Sequence, residues 1–225
     1  MICVPGILEG RLRPIRRLAA QRLLIPLLLL SVLPQAVALD WDMELAEEAA
    51  AMLVGERYFA AGILQDGRLS PIEDDRIDLS RRPFSIVLVT HEPTGVLLNL
   101  SHESHLYYGI RAGMGLDQIL EEPEMFMGMA EGLFNEEQTL YLTGTMAHYL
   151  FFSDHETHRF SFVQMLPGAI IGVREVRYLW DMEDTGETWP VESFGGPLYI
   201  SLIHSVYESG QRTELQRATA ELVFH

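Results

Sequence analysis

From Phe84 onward the chain is a series of short apolar runs separated by turn residues, with no alternation of strand and long helix. Phe84 to Thr90 is apolar and β-branched and lacks helical spacing. His91-Glu92-Pro93-Thr94-Gly95 is a turn, after which Val96 to Leu100 resumes the pattern, so the two runs are predicted to form a hairpin. Thr139 to Phe152 reads as a long strand bent at Gly144. Arg159 to Met165 carries Phe160 and Phe162 on one face, and Ala169 to Trp180 follows. Leu198 to Val206 places Leu198, Ile200 and Leu202 on one face. Thr213 to Phe224 fits a helix through Leu215, Ala218 and Leu222. As a strand it points Ala218, Ala220, Leu222 and Phe224 inward and Arg217, Thr219 and Glu221 outward. The strand reading is preferred, paired with Leu198 to Val206 through Glu208 to Arg212.

The expected fold is therefore mainly β, an antiparallel sandwich or an open barrel with an N-terminal helix. The missing βαβ alternation argues against a parallel nucleotide-binding sheet. The helix is read from Leu45, Ala49, Met52 and Leu53, which share one face, with Asp40 or Asp42 as its cap. Asp66 to Pro83 reads as an irregular acidic connection holding Pro71 and Pro83. Leu106 to Leu120 is less regular, with a short helix at Leu116 to Leu120. The expected organisation is a leader over 1–38, the helix and connection over 39–83, and a β-rich domain over 84–225.

The leader is read from Arg11, Arg13, Arg16, Arg17 and Arg22, the apolar run Leu23 to Val32, and Ala36-Val37-Ala38 as a small-x-small cleavage site. This is the pattern of a Sec signal peptide cut after Ala38, and it predicts a periplasmic or secreted protein. A spanning helix needs roughly 20 apolar residues. The stretch between Arg22 and Asp40 is shorter and is broken by Pro26 and Pro34, so no membrane span is expected after cleavage. The only cysteine, Cys3, lies in the leader. The mature chain would then have neither disulfide, thiol nucleophile nor thiolate metal site. The whole chain carries 16 basic and 32 acidic residues, and the basic ones are all arginine. Removing the leader leaves 11 Arg against 31 acids, a net charge of −20. Such a surface repels nucleic acid and favours cationic ligands or basic protein partners. Solubility alone also accounts for it.

Two near-identical tetrads are the sharpest chemical candidates: His102-Glu103-Ser104-His105 and His155-Glu156-Thr157-His158. Imidazoles are the usual zinc and copper ligands in a thiol-free exported protein. Both tetrads fall in predicted connections, so His102, His105, His155 and His158 would form a metal site if those connections meet. Neither is the HExxH motif of zinc proteases. Met125-Phe126-Met127-Gly128-Met129 places three thioethers on one strand face, a soft copper site or simply core filling. Asp181 to Glu192 partly follows the calcium-loop pattern, with departures at Glu183 and Pro190. His148 and His204 fall on apolar strand faces and read as core or rim histidines. No GxSxG elbow or phosphate-binding glycine loop is present.

These observations point first to an exported, non-enzymatic β-rich binding protein with a protein or small-molecule partner. Tyr107, Tyr108, Trp180 and Trp189, near the connections, are candidates for the binding surface. The alternative is a periplasmic zinc- or copper-binding protein built on the two tetrads. A third reading is a metal-dependent hydrolase with Glu103 or Glu156 as base.

Overall fold

The structure, a computed structural model, describes residues 41–225 apart from 74–75, 122–127, 130–138, 143, 145–146, 152–159, 161, 182–185 and 210. In chain order the elements are α1 (Met43–Ala51), β1 (Phe59–Gln65), β2 (Arg68–Pro71), β3 (Arg76–Leu79), β4 (Phe84–Thr90), β5 (Gly95–Ser101), α2 (His105–Arg111) and α3 (Leu116–Ile119). There follow β6 (Gly128–Met129), β7 (Thr139–Leu142), β8 (Ala147–Phe151), β9 (Phe162–Leu166), β10 (Ala169–Val176), β11 (Tyr178–Asp181), β12 (Thr188–Pro190), a 3-10 turn (Val191–Ser193), β13 (Pro197–Glu208) and β14 (Gln211–Phe224). The fold is mainly β with a leading helix, as expected. Among the described residues no helix is long and apolar enough to cross a membrane.

The strands form a five-stranded sheet in the order β2-β1-β4-β10-β9, a six-stranded sheet in the order β3-β14-β13-β5-β8-β6, and a small sheet β12-β11-β7. The two large sheets share one core. Phe59, Ile63, Ile86 and Leu88 come from the first, and Leu98, Leu100, Leu198, Ile200, Leu202 and Leu222 from the second. The outer face of each sheet is covered as well. Leu45, Ala46, Ala49 and Leu53 lie over Val87, Val89, Ile171 and Val173 of the five-stranded sheet. Leu106, Ile110, Leu116 and Leu120 lie over Leu97 and Ile203 of the six-stranded sheet. Burial on both faces explains why Phe84 to Thr90 is apolar throughout rather than alternating: all seven residues of β4 are buried.

Four expectations change. Phe84–Thr90 and Gly95–Ser101 do not form a hairpin. β4 pairs with β1 and β10, while β5 pairs with β13 and β8, so His91 to Gly95 carries the chain from one sheet to the other. Thr139 to Phe152 divides into β7 and β8 in different sheets, with Gly144 at φ 54° between them. Ala169 to Trp180 divides in the same way into β10 and β11. The stretch from Asp66 to Pro83 is not irregular. Asp66 (φ 54°) and Gly67 (φ 72°) make a two-residue turn between β1 and β2, and β3 then joins the other sheet in parallel with β14. The pairing of β13 with β14 stands as expected, with Ala220, Leu222 and Phe224 in the core.

α1 starts where Asp42, in extended conformation, accepts a hydrogen bond from the Leu45 N–H at 2.9 Å. Just before it, Trp41 Nε1 donates to Gln164 Oε1 of β9 at 2.7 Å and fixes where the helix lies on the sheet. Asp42→Ala should cost about 1 kcal/mol of unfolding free energy, and Asp42→Asn only a few tenths, because the amide oxygen still accepts. Urea denaturation of the three proteins measures both differences.

Candidate functional site

The first tetrad links β5 to α2. The Glu103 N–H donates to Ser101 Oγ at 2.8 Å, and the His105 Nδ1 lies 3.1 Å from Glu103 Oε2 at the start of the helix. His102 turns the other way. Its ring packs 5.4 Å from Phe194 and 6.2 Å from Trp189, between centroids, at the end of the core. The second tetrad, with His155 and His158, lies outside the described residues, as do Met125 and Met127. Among the described residues no three His, Cys, Asp or Glu side chains gather into a set that would hold a metal.

The described residues around the calcium-like stretch pair β11 with β12. Asp181 ends β11, the Asp181 N–H donates to the Glu187 carbonyl, the Gly186 N–H donates back to the Asp181 carbonyl, and β12 runs beside β11. Asp181 is buried and Glu192 is exposed in the 3-10 turn beyond β12, so the first and twelfth positions do not present themselves alike. Trp180 Nε1 donates to the Gly186 carbonyl, and Trp189 packs against the core.

The tyrosines are arranged differently. α2 was not expected as a helix, and it holds Tyr107 (2% exposed) under Tyr108 (55% exposed). Both rings meet Tyr199 of β13, at 5.2 and 6.1 Å. The Arg111 guanidinium donates to the Tyr107 hydroxyl at 2.6 Å. Burial pushes the Tyr199 phenol above its ordinary range. The carboxylate of Glu221, its partner across β13 and β14, pushes the same way, as do Tyr108 and Tyr107.

A cavity lies elsewhere, at the end of the sandwich where β1 begins. It measures about 420 Å³ and is walled by residues of β1, β14 and the segments beside them, among them Arg57, Tyr58, Phe59, Glu73, Leu215 and Gln216. A β-bulge builds it. The register of β13 and β14 passes from His204 opposite Gln216 to Ser205 opposite Glu214, which leaves Leu215 as the extra residue. Gln216 then reaches across to the other sheet. Its Oε1 accepts from the N–H groups of Tyr58 at 2.7 Å and Phe59 at 3.2 Å, and its Nε2 donates to the Phe59 carbonyl at 2.6 Å. The Tyr58 ring, 47% exposed, stacks on His204 at 5.0 Å. His204 is the rim histidine expected, held by a hydrogen bond between Nδ1 and the Gly95 carbonyl at 2.9 Å. Arg57 pairs with Glu73 across the opening.

Sequence reasoning passed over Tyr58, Leu215 and Gln216. One signal was available. In the inward phase of β14, Ala218, Ala220, Leu222 and Phe224 are preceded by polar Gln216 and Glu214, while apolar Leu215 takes the outward phase. That reversal is what a bulge leaves in a strand pattern. No protein-family model matches the chain, and no curated protein or solved structure matches it either.

Two titrations test the electrostatics. Glu221→Gln removes a negative charge beside Tyr199, so its phenol should ionise at lower pH, seen as an earlier rise of the tyrosinate band in an alkaline absorbance titration. On the other edge, the His225 Nε2 lies 2.8 Å from Asp78 Oδ1 and the Arg76 Nε donates to the same oxygen at 2.9 Å. The bond to His225, then that to Arg76, holds the Asp78 carboxyl below its ordinary range. A lowered folded-state value stabilises the fold above the ordinary aspartate range, and the contribution disappears as pH falls through the lowered value. His225→Ala should raise the Asp78 midpoint toward an ordinary aspartate in a carboxyl NMR titration.

Proposed function

We propose that the protein is an exported, non-enzymatic β-sandwich binding protein whose ligand sits in the cavity between β1 and β14. The observation that carries this reading is the cavity itself: an exposed aromatic ring, hydrogen-bonding groups and an apolar bulge residue around about 420 Å³. A pocket of several hundred Å³ with a few placed polar groups is the size and make-up that ligand sites adopt. Export is supported by the basic, apolar, small-residue order of the first 38 residues, and the acidic charge by the same sequence. The zinc- or copper-binding alternative rests on the His tetrads. Within the first of them, His102 is packed against aromatic rings and His105 meets Glu103.

Protein purified from the periplasm of expressing cells should be stabilised on heating by members of a library of small polar metabolites and short peptides. At a ligand concentration of 100 times Kd the gain is about 2.7 kcal/mol. Tyr58→Ala should abolish it while leaving the unliganded melting temperature within a few degrees. Elemental mass spectrometry of the same preparation separates the alternative. Stoichiometric zinc or copper, lost in the His102→Ala/His155→Ala double variant, would transfer the function to the tetrads. Absence of any cavity-dependent shift would overturn the present assignment.

A further inference from the structure

We infer that this cavity takes an extended, basic segment of another polypeptide, which adds to β1 as a strand in the place now held by the Gln216 carboxamide. The inference rests on the binding role proposed above and names the chemistry of its ligand.

The first ground is the state of the β1 edge. The Ile72 N–H donates to the Ala61 carbonyl at 2.8 Å, so Ala61 faces β2. With the two-residue period of a strand, Phe59 presents its own N–H and carbonyl to that same side. There β2 has already ended, at Pro71. The second ground is what Gln216 does. A residue in a hydrogen-bonded antiparallel pair offers its neighbour one carbonyl and one N–H. The Gln216 side chain offers Phe59 the same two groups, a carbonyl to its N–H and an N–H to its carbonyl. Among the described residues no strand continues beside Phe59, and a single carboxamide stands in for one residue of such a strand.

The third ground lies on the opposite wall. β3 pairs only with Glu221–Phe224 of β14, so β14 from Thr213 to Ala220 has a strand partner on one side alone among the described residues. Two strand edges therefore border the same cavity, and both are of the kind that recruits a further strand. An extended segment of three residues is about 10 Å long and would bring a second hydrogen-bonded position against Arg57. Charge selects the segment. Arg57 is already paired with Glu73, and Arg217 with Glu214, while Glu56 adds a further carboxylate to the wall of a chain whose net charge is −16. Lysine- or arginine-containing segments are attracted and acidic ones repelled.

The test is selection of linear decapeptides from a display library against the full, processed protein, followed by titration of the synthetic hits. Hits rich in Lys or Arg are expected. N-methylation at alternate backbone positions should weaken them tenfold or more, because every second N–H faces β1. Gln216→Ala removes the competing carboxamide and should tighten binding several-fold. Leu215→Trp fills the cavity from an exposed position without touching that bond, and should weaken binding at least tenfold. It also covers the case in which Gln216→Ala fails to fold. Hits that ignore both Leu215→Trp and N-methylation would overturn strand addition while leaving a binding role in place. If no peptide is enriched, strand addition falls; if the metabolite shifts also persist unchanged in Tyr58→Ala, the cavity assignment falls with it.

Discussion

Both faces of each large sheet are covered, and a chain with a single cysteine, Cys3, has no internal disulfide to take the place of that packing. The shared core between the two large sheets meets half of that demand. α1 meets the rest on one side, and α2 with α3 on the other. Short helices suffice because each supplies only an apolar stripe, while the sheets supply the hydrogen bonding. Once both faces are closed, the sheets themselves meet solvent chiefly at their ends and edges, while the helices turn residues such as Glu44 and Glu48 outward. That confinement is why the bulge of β14 and the start of β1 become the chemically varied part of the molecule.

The strands whose patterns could be read were those with a continuous apolar phase: β4, β13 and the inward half of β14. What could not be read was which sheet each strand joins. A turn such as His91 to Gly95 looks the same whether the chain folds back on its neighbour or crosses the core, since the choice is made by distant partners such as Val87 against Val173. The division of Thr139 to Phe152 and of Ala169 to Trp180 has the same origin. α2 escaped notice because His105, Tyr107, Tyr108 and Gly109 weaken the helical signal, and its place is fixed by packing onto Leu97 and Ile203. The site was less legible still. Gln216 matters through bonds to a backbone 157 residues away, and no local pattern reports such a contact.

The acidic surface and the tyrosine cluster belong to the same account. Glu221 lies between Tyr199 on β13 and Arg76 on β3 in the sheet register, so charge and phenol are brought together by strand pairing and not by sequence proximity. The histidines divide in like manner. His204 serves one end of the sandwich through the Gly95 carbonyl, and His102 serves the other through aromatic contact.

The parallel pairing of β3 with β14 has a consequence for how the chain is made. Residues 76–79 reach their partner only when residues 221–224 exist, and β13 too gains one of its neighbours only then. A chain emerging N-terminus first therefore holds an incomplete six-stranded sheet until residues 221–224 have been made, and contacts of such long range form slowly. Until then β3 and one side of β13 stand as open strand edges, and their protection has to come from outside the sheet.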